Sequence, residues 1–534
     1  MNIATAPLPA RADAPVSAGP ISAGPVSAPP AAPAPAAFGL RIASGLLGVL
    51  LAVLVSGFNE HVTEIDLPDL RGALGIGHDE GTWLIALYEA FQISAMAFAP
   101  WLAVTFSIRR FTMAMMALFG FLAAVAPFMP DLPSLYALRA VQGFAGGCMP
   151  PMLMTVALRY LPPGIKIYGL GAYALTATFG PNLGTPLAAF WFESFGWRWV
   201  FWEIVPLCVV AIALVAAGLP QDPLRLERFR QFDWRGLLLG FPGICMLVFG
   251  LMQGDRLDWF NSPLIVHLLV GGVFLFALFM VNEWFHPAPF FRIQMLRQRN
   301  LSFALITITG VLMMVSVTAV VPSLYLVEVR GYRPLQIAPM ALLIALPQLV
   351  ALPLVAALCN IRRVDCRWVL AGGLLLIAAS CLGGTLLTSD WIRDNFYGLE
   401  AMLVLGQPMT IIPILMLATL KLAPTDGPFV SGMFNMVKGL ANVIAAAVVD
   451  ILLTWREHTH SNRLLDHAGQ GWFVQNRLHT DPGALAALAH AVHDQALVLA
   501  SADIYLVMVA VAAVMLVLNL ILPERVYPPA SPAR

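Results

Sequence analysis

Long apolar runs separated by short polar loops recur down the length of this chain, and no other feature limits its fold so strongly. A helix needs about 20 largely apolar residues to cross the hydrocarbon layer of a bilayer. Runs of that kind occupy residues 40–58, 82–106, 111–128, 134–158, 167–192, 199–219, 236–254, 263–284, 301–325, 337–359, 368–388, 397–420, 430–455 and 500–522. The composition agrees: 59% of the 534 residues are hydrophobic and 11% charged, where soluble domains carry about 25% charge. The expected fold is therefore an all-α polytopic membrane protein with 14 transmembrane helices, and an ordinary soluble enzyme is excluded. Lys plus Arg number 30, as do Asp plus Glu, so no basic excess points to nucleic acid.

Charge placement orients the chain. With the N-terminus inside, inside segments carry 19 Lys and Arg residues and outside loops 9, the asymmetry expected when both termini are cytoplasmic. The first outside loop is acidic instead, with Glu60, Glu64, Asp66, Asp69, Asp79 and Glu80. Residues 1–38 are rich in Ala and Pro, with a near-repeat from Ser17 to Pro29, and a stretch so poor in packable side chains is expected to be a disordered cytoplasmic tail. Residues 456–499 form one long outside loop holding His458, His460, His467, His479, His490 and His493. It reads as a solvated loop with no metal site, although Gly483–Leu499 has helical spacing that would extend the last crossing outward. The six cysteines include no CxxC pair and read as small apolar side chains.

Ionisable residues inside apolar runs cost roughly 2.5–3.5 kcal/mol each at mid-membrane and mark pathways or relays. Arg139 lies in the fourth run, Glu89 in the second and Lys438 in the thirteenth, while Glu60 and His61 close the first. Glu203 enters the sixth run beside Trp199 and Trp202, and Glu400 enters the twelfth; both reach either the headgroup belt or an internal cavity. The fifth run contains Gly169, Gly171, Gly180, Pro181, Gly184 and Pro186, which allow close helix contact and local kinks.

At these residues the sequence resembles the major facilitator superfamily, and within it the fourteen-span drug:proton antiporters related to EmrB. Arg139-Ala-Val-Gln142-Gly143 is similar to that superfamily's RxxQG motif. Gly180-Pro181-Asn182-Leu183-Gly184 is similar to its antiporter motif, and Asp233-Trp234-Arg235-Gly236 with Leu257-Asp258-Trp259-Phe260-Asn261-Ser262 resembles the branch's linker spans. Asn435-Met-Val-Lys438 resembles its NxxR pattern with Lys for Arg. Two positions depart: Asn59 stands where the first-span motif carries Asp, and Val104 stands where the loop after the second span carries a charge.

The resemblance implies a six-helix bundle at 39–219, two linker helices at 220–300, a second six-helix bundle at 301–522 containing the 456–499 loop, and a cytoplasmic tail at 523–534. It implies proton-coupled export of amphipathic drugs or toxic organic compounds across the inner membrane, with the proton as coupling ion and no other cofactor. Glu89, or else Glu60, is the expected proton carrier, with Arg139 its electrostatic regulator and Lys438 in the same set. Phe91, Gln92, Tyr173, Phe179, Met314, Asn435, Glu203 and Glu400 are the expected walls of a substrate cavity between the bundles. Expected partners are a small amphipathic substrate, the lipid bilayer and, in a two-membrane cell, a periplasmic adaptor with an outer-membrane channel. A carrier of one native metabolite on the same fold is the alternative, followed by a non-transporting membrane sensor or assembly subunit. No HExxH, GxSxG or GxxxxGK[ST] motif is present, so no enzyme is expected.

Overall fold

Apolarity makes these segments helical, because a backbone in hydrocarbon must satisfy its own hydrogen bonds. The computed structural model describes residues 39–419, 426–469 and 483–528. The 1–38 tail, His479 with the rest of 470–482, and residues 529–534 lie outside these. Every regular element among the described residues is helical.

The first half comprises α1 (Leu40–Ile65), α2 (Leu67–Leu74), α3 (His78–Phe106), α4 (Ile108–Val125), α5 (Leu132–Gly147), α6 (Met149–Tyr160), α7 (Lys166–Phe195), α8 (Trp199–Trp202) and α9 (Ile204–Gly218). A hairpin of α10 (Trp234–Met252) and α11 (Pro263–Phe285) follows. The second half comprises α12 (Arg299–Glu328), α13 (Pro334–Asn360), α14 (Cys366–Gly384), α15 (Arg393–Thr419), α16 (Gly427–Gly469) and α17 (Ala484–Ile521). Among the described residues, thirteen helical stretches are long and apolar enough to cross a membrane, with α5 and α6 joined as one and α8 and α9 as another. The helix of the fifth apolar run, α7, is not among the thirteen. At 30 residues it is long enough, but its Gly, Pro, Thr and Asn residues dilute its apolarity.

Short polar signals set the helix starts. Asp131 accepts from the Ser134 amide at 2.9 Å before α5, Asp233 from Gly236 at 2.7 Å before α10, and Asp365 from Arg367 at 3.0 Å before α14, each satisfying an N-terminal amide with no helical partner. The Leu257–Ser262 stretch turns sharply between α10 and α11, with Asp258 and Trp259 at φ 59° and 46°.

Glycines bring the inner helices together. A Cβ on Gly143 of α5 would stand 2.1 Å from the Tyr88 carbonyl oxygen of α3, and one on Gly147 would stand 2.0 Å from that of Gln92. These helices therefore meet backbone to backbone. Gly184 of α7 lies against the His61 side chain of α1, where a Cβ would stand 2.7 Å from that of His61, and Gly171 faces Ala356 of α13, so α7 touches both halves of the chain.

Position in the bundle grades the burial. Protein covers 83% of the most apolar stretch of Leu132–Tyr160 but only 17% of that of α11. The long outside loop expected at 456–499 is corrected: α16 continues to Gly469 and α17 begins at Ala484, so the helices project past the apolar layer as a pair. Arg456 and His460 both bind Asp503, at 2.7 and 2.6 Å, and His493 lies 2.8 Å from Glu457. Histidines that looked loop-borne thus staple two helices. The outward extension of α17 matches the helical spacing of 483–499.

Candidate functional site

Four ionisable side chains, from three helices far apart in sequence, meet in one cavity with about 680 Å³ of empty space, counted with the part open to solvent. Glu60 and His61 come from α1, Glu89 and Gln92 from α3, Thr176 from α7, and Asn435, Lys438 and Asn442 from α16. Glu89 and Lys438 each lie about 16 Å along their helices from the helix starts at His78 and Gly427 at 1.5 Å per residue, about half the thickness of a ~30 Å hydrocarbon layer.

The geometry follows from helical periodicity and from the glycine contact. Residues three and four apart share a helix face, so Glu89 and Gln92 project together, as do Asn435, Lys438 and Asn442. Gln92 Nε2 donates to Glu60 Oε2 at 2.6 Å, linking α3 to α1. Tyr173 of α7 donates its hydroxyl to Asn435 Oδ1 at 2.6 Å, and Asn435 Nδ2 donates to the Ser431 carbonyl at 2.8 Å. Lys438 Nζ sits 5.6 Å from the centre of the Tyr173 ring. His61 Nδ1 lies 3.5 Å from Glu64.

Arg139 stands behind this cavity rather than on its wall. It is 1% exposed, and its Nη1 donates to Asn59 Oδ1 and to Gln142 Oε1, both at 2.9 Å. Its guanidinium carbon lies 4.3 Å from the centre of the Tyr88 ring, a cation–π contact worth about 2 kcal/mol or more once desolvated. Among the described residues no carboxylate lies within ion-pair distance of it. Asn59, where the resemblance leads one to expect an acid, is thus the group against the guanidinium. Tyr88 donates in turn to the Ser56 carbonyl at 3.2 Å.

A second cavity, with about 600 Å³ of empty space, lies on the other side of α7, and Ala177 lines both. It holds Glu400 and Gln407 of α15, Asn182 and Thr185 of α7, and Ser323 of α12. Glu400 is 4% exposed and its Oε2 has no hydrogen-bond partner among the described residues, so it faces an internal cavity and not the headgroups. Gln348 donates to Gln407 Oε1 at 2.6 Å behind it.

The residues expected on one wall therefore disperse. Gln92 and Asn435 line the first cavity, Tyr173 backs it, and Glu400 belongs to the second. Phe91 turns away to pack on Phe241 of α10 at 5.3 Å, and Phe179 packs on Phe58 at 6.4 Å. Met314 is fully buried in the core, and Glu203 is 7% exposed at the α8–α9 junction, on neither cavity wall. Their aromatic or thioether character suited packing between helices as well as it suited a substrate surface. Of the motif glycines, Gly184 makes the α1 contact, while a Cβ on Gly180 would meet nothing within 4 Å. Pro181 lies within α7. The sequence reading passed over Asn442, although its spacing from Asn435 and Lys438 along one helical stripe was visible.

Comparison with known proteins agrees with this architecture. The profile of the Major Facilitator Superfamily matches residues 49–446. The chain is 23% identical over 431 residues to the probable multidrug resistance protein EmrY of Escherichia coli K12, covering 78% of this chain and 81% of that protein. It is 26% identical over 382 residues to a multidrug resistance protein B homolog of Mycobacterium tuberculosis, covering 70% and 69%. The fold is similar to that of the human organic anion transporter MFSD10 (TETRAN), with a TM-score of 0.55 at 14% identity, covering 89% of this chain and 100% of that one. Helices, cavities and sequence agree: the chain belongs to the Major Facilitator Superfamily and is an integral membrane transport protein, not an enzyme.

Proposed function

We propose that this protein is a proton-coupled antiporter that exports amphipathic organic compounds across the inner membrane. One observation carries the reading: two carboxylates and one ammonium, from α1, α3 and α16, face a single cavity. With one proton on the Glu60–Glu89 pair, the two acids and Lys438 sum to zero charge. Without it the cavity holds one net negative charge in a medium that screens poorly. A proton and a substrate then compete for the same imbalance, which is the requirement for exchange.

Glu89 is the proton carrier in this scheme and Glu60, tethered to Gln92, its partner. Arg139 regulates their field from behind the wall. Counting α7 as a crossing gives fourteen, with both termini cytoplasmic. As α7 lies against α1 at Gly184 and against α13 at Gly171, it is the contact along which the halves rock. The relatives' printed names support drug-like substrates, and an adaptor with an outer-membrane channel would complete the export route in a two-membrane cell.

The test is substrate-dependent proton movement in proteoliposomes with the full-length protein. E89Q should reduce it about tenfold or more, equivalent to 1.4 kcal/mol, while substrate binding persists. Undiminished proton movement in both E89Q and E60Q overturns the reading.

A further inference from the structure

A third hollow is chemically unlike the first two. With about 790 Å³ of empty space, it lies between α3, α5 and α10 and is apolar throughout. Five phenylalanines, Phe98, Phe144, Phe232, Phe241 and Phe290, form most of its wall. Phe98 meets Phe290 edge-on at 4.7 Å and Phe241 at 6.2 Å. Leu238 on its wall is 69% exposed. The groove therefore opens outward, toward hydrocarbon in a membrane-embedded chain.

The residues above the groove restrict what enters it. Segment 225–232 folds over the end of α3: the Arg225 amide donates to the Thr105 carbonyl at 3.0 Å, and the Arg228 guanidinium lies 5.0 Å from the Trp101 ring. Phe229 and Phe232 pack edge-on against Trp101 at 5.4 and 4.9 Å. Phe232 is thus both the floor of the arginine segment and a wall of the groove. Arg225, Arg228 and Arg230 make no ion pair among the described residues, and the buried Nη1 of Arg228 has no partner there. The nearby Asp233 is already engaged by Gly236 and Asn282. The segment that bears these arginines thus adjoins the apolar groove through Phe232, on the side of the chain where the charge pattern places most of its arginines.

We propose that this is a binding site for an anionic phospholipid, with one acyl chain in the phenylalanine groove and the phosphate against Arg225, Arg228 and Arg230. Basic side chains at the bilayer surface favour anionic headgroups, and the outward opening leaves the second acyl chain in the bilayer. The bound lipid bridges α10 of the peripheral hairpin to α3, the helix that bears Glu89. The site stands independently of the coupling scheme.

Native mass spectrometry of the delipidated full-length protein tests it, with palmitoyl-oleoyl phosphatidylglycerol, phosphatidylcholine of the same chains, and oleate as probes. Phosphatidylglycerol should bind about tenfold more tightly than phosphatidylcholine. The R225Q/R228Q/R230Q variant, altered only on exposed or half-exposed side chains, should bring the two within about twofold. Filling the groove with L102W should weaken both lipids. A second readout uses nanodiscs: phosphatidylglycerol with brominated chains should quench fluorescence that is missing in W101F, and brominated phosphatidylcholine should quench it less. Equal binding of the two phospholipids by the wild type, or an arginine-independent preference for oleate, overturns the assignment.

Discussion

The two polar cavities flanking α7 share Ala177 but are built on different electrostatics. The first gathers Glu60, Glu89 and Lys438, acids and base from both halves of the chain, and ties Glu60 to Gln92. The second encloses one carboxylate, Glu400, among amides and hydroxyls, with no basic side chain on its wall among the described residues. A site with both signs changes its net charge by a proton and remains close to neutral, whereas a lone acid offers a fixed counter-charge. On the proposed scheme proton and substrate compete at the first cavity, and the lone acid of the second adds a fixed counter-charge for a cationic substrate.

The harshest way to break this comparison is to separate the helices that frame the first cavity. G143A places a methyl 2.1 Å from the Tyr88 carbonyl oxygen. It should cost about 3 kcal/mol or more by overpacking, seen as loss of the monodisperse peak in fluorescence-detected size-exclusion chromatography. G180A, with open space at its Cβ, should elute like the wild type.

Removing charge from each cavity in turn comes next. K438M should lower substrate-driven proton movement about tenfold, whereas E400Q should change it less than about twofold while weakening binding of cationic substrates about tenfold, or 1.4 kcal/mol. Equal loss of proton movement in both variants would erase the distinction between the cavities.

A smaller effect comes from the Arg139 support. N59D gives the buried guanidinium a carboxylate in place of an amide oxygen, and an opposite charge at that distance should raise the melting temperature by a few degrees. N59L removes the acceptor and should lower it, because a buried charge that loses a partner is costly.

The least change is expected far from either cavity, at the start of α14. Burial pushes the Asp365 carboxyl up, but hydrogen bonds from Arg367 and the charges of Arg367 and Arg525 outweigh it and hold it below its ordinary 3.8. A lowered folded value adds stability that is present above pH 3.8 and lost as the pH falls through that value. Melting curves of D365N and the wild type should therefore differ at about pH 7 and draw together as the pH falls below 3.8 and through the lowered folded value.

Much of this molecule was legible in its sequence. The apolar runs coincide with the observed helices, since hydropathy is a local property of each run. Glu60, Glu89 and Lys438 stood out because charge in an apolar run is rare for a thermodynamic reason. Periodicity also foretold the outward extension of α17. Other features escaped. Glu203 and Glu400 looked alike beside the outer ends of their runs, yet one is packed at a helix junction and the other faces a cavity. Whether Phe91 faced substrate or the linker hairpin depended on where α10 docks. The stapling of α16 to α17 through Asp503 depended on a partner 43 residues from His460.

The sequence alone determined that this chain crosses a membrane many times as helices, which way its arginines bias it, and which charged residues are costly where they stand. Those are properties of single segments and their solvent. Only the tertiary structure decided that Glu60, Glu89 and Lys438 share a cavity while Glu400 stands apart, and that Arg139 rests on Asn59 rather than on an acid. Helix neighbours are chosen by the close backbone approach at Gly143 and Gly147 and the side-chain contact at Gly184, and shape complementarity between distant segments is written in no one of them.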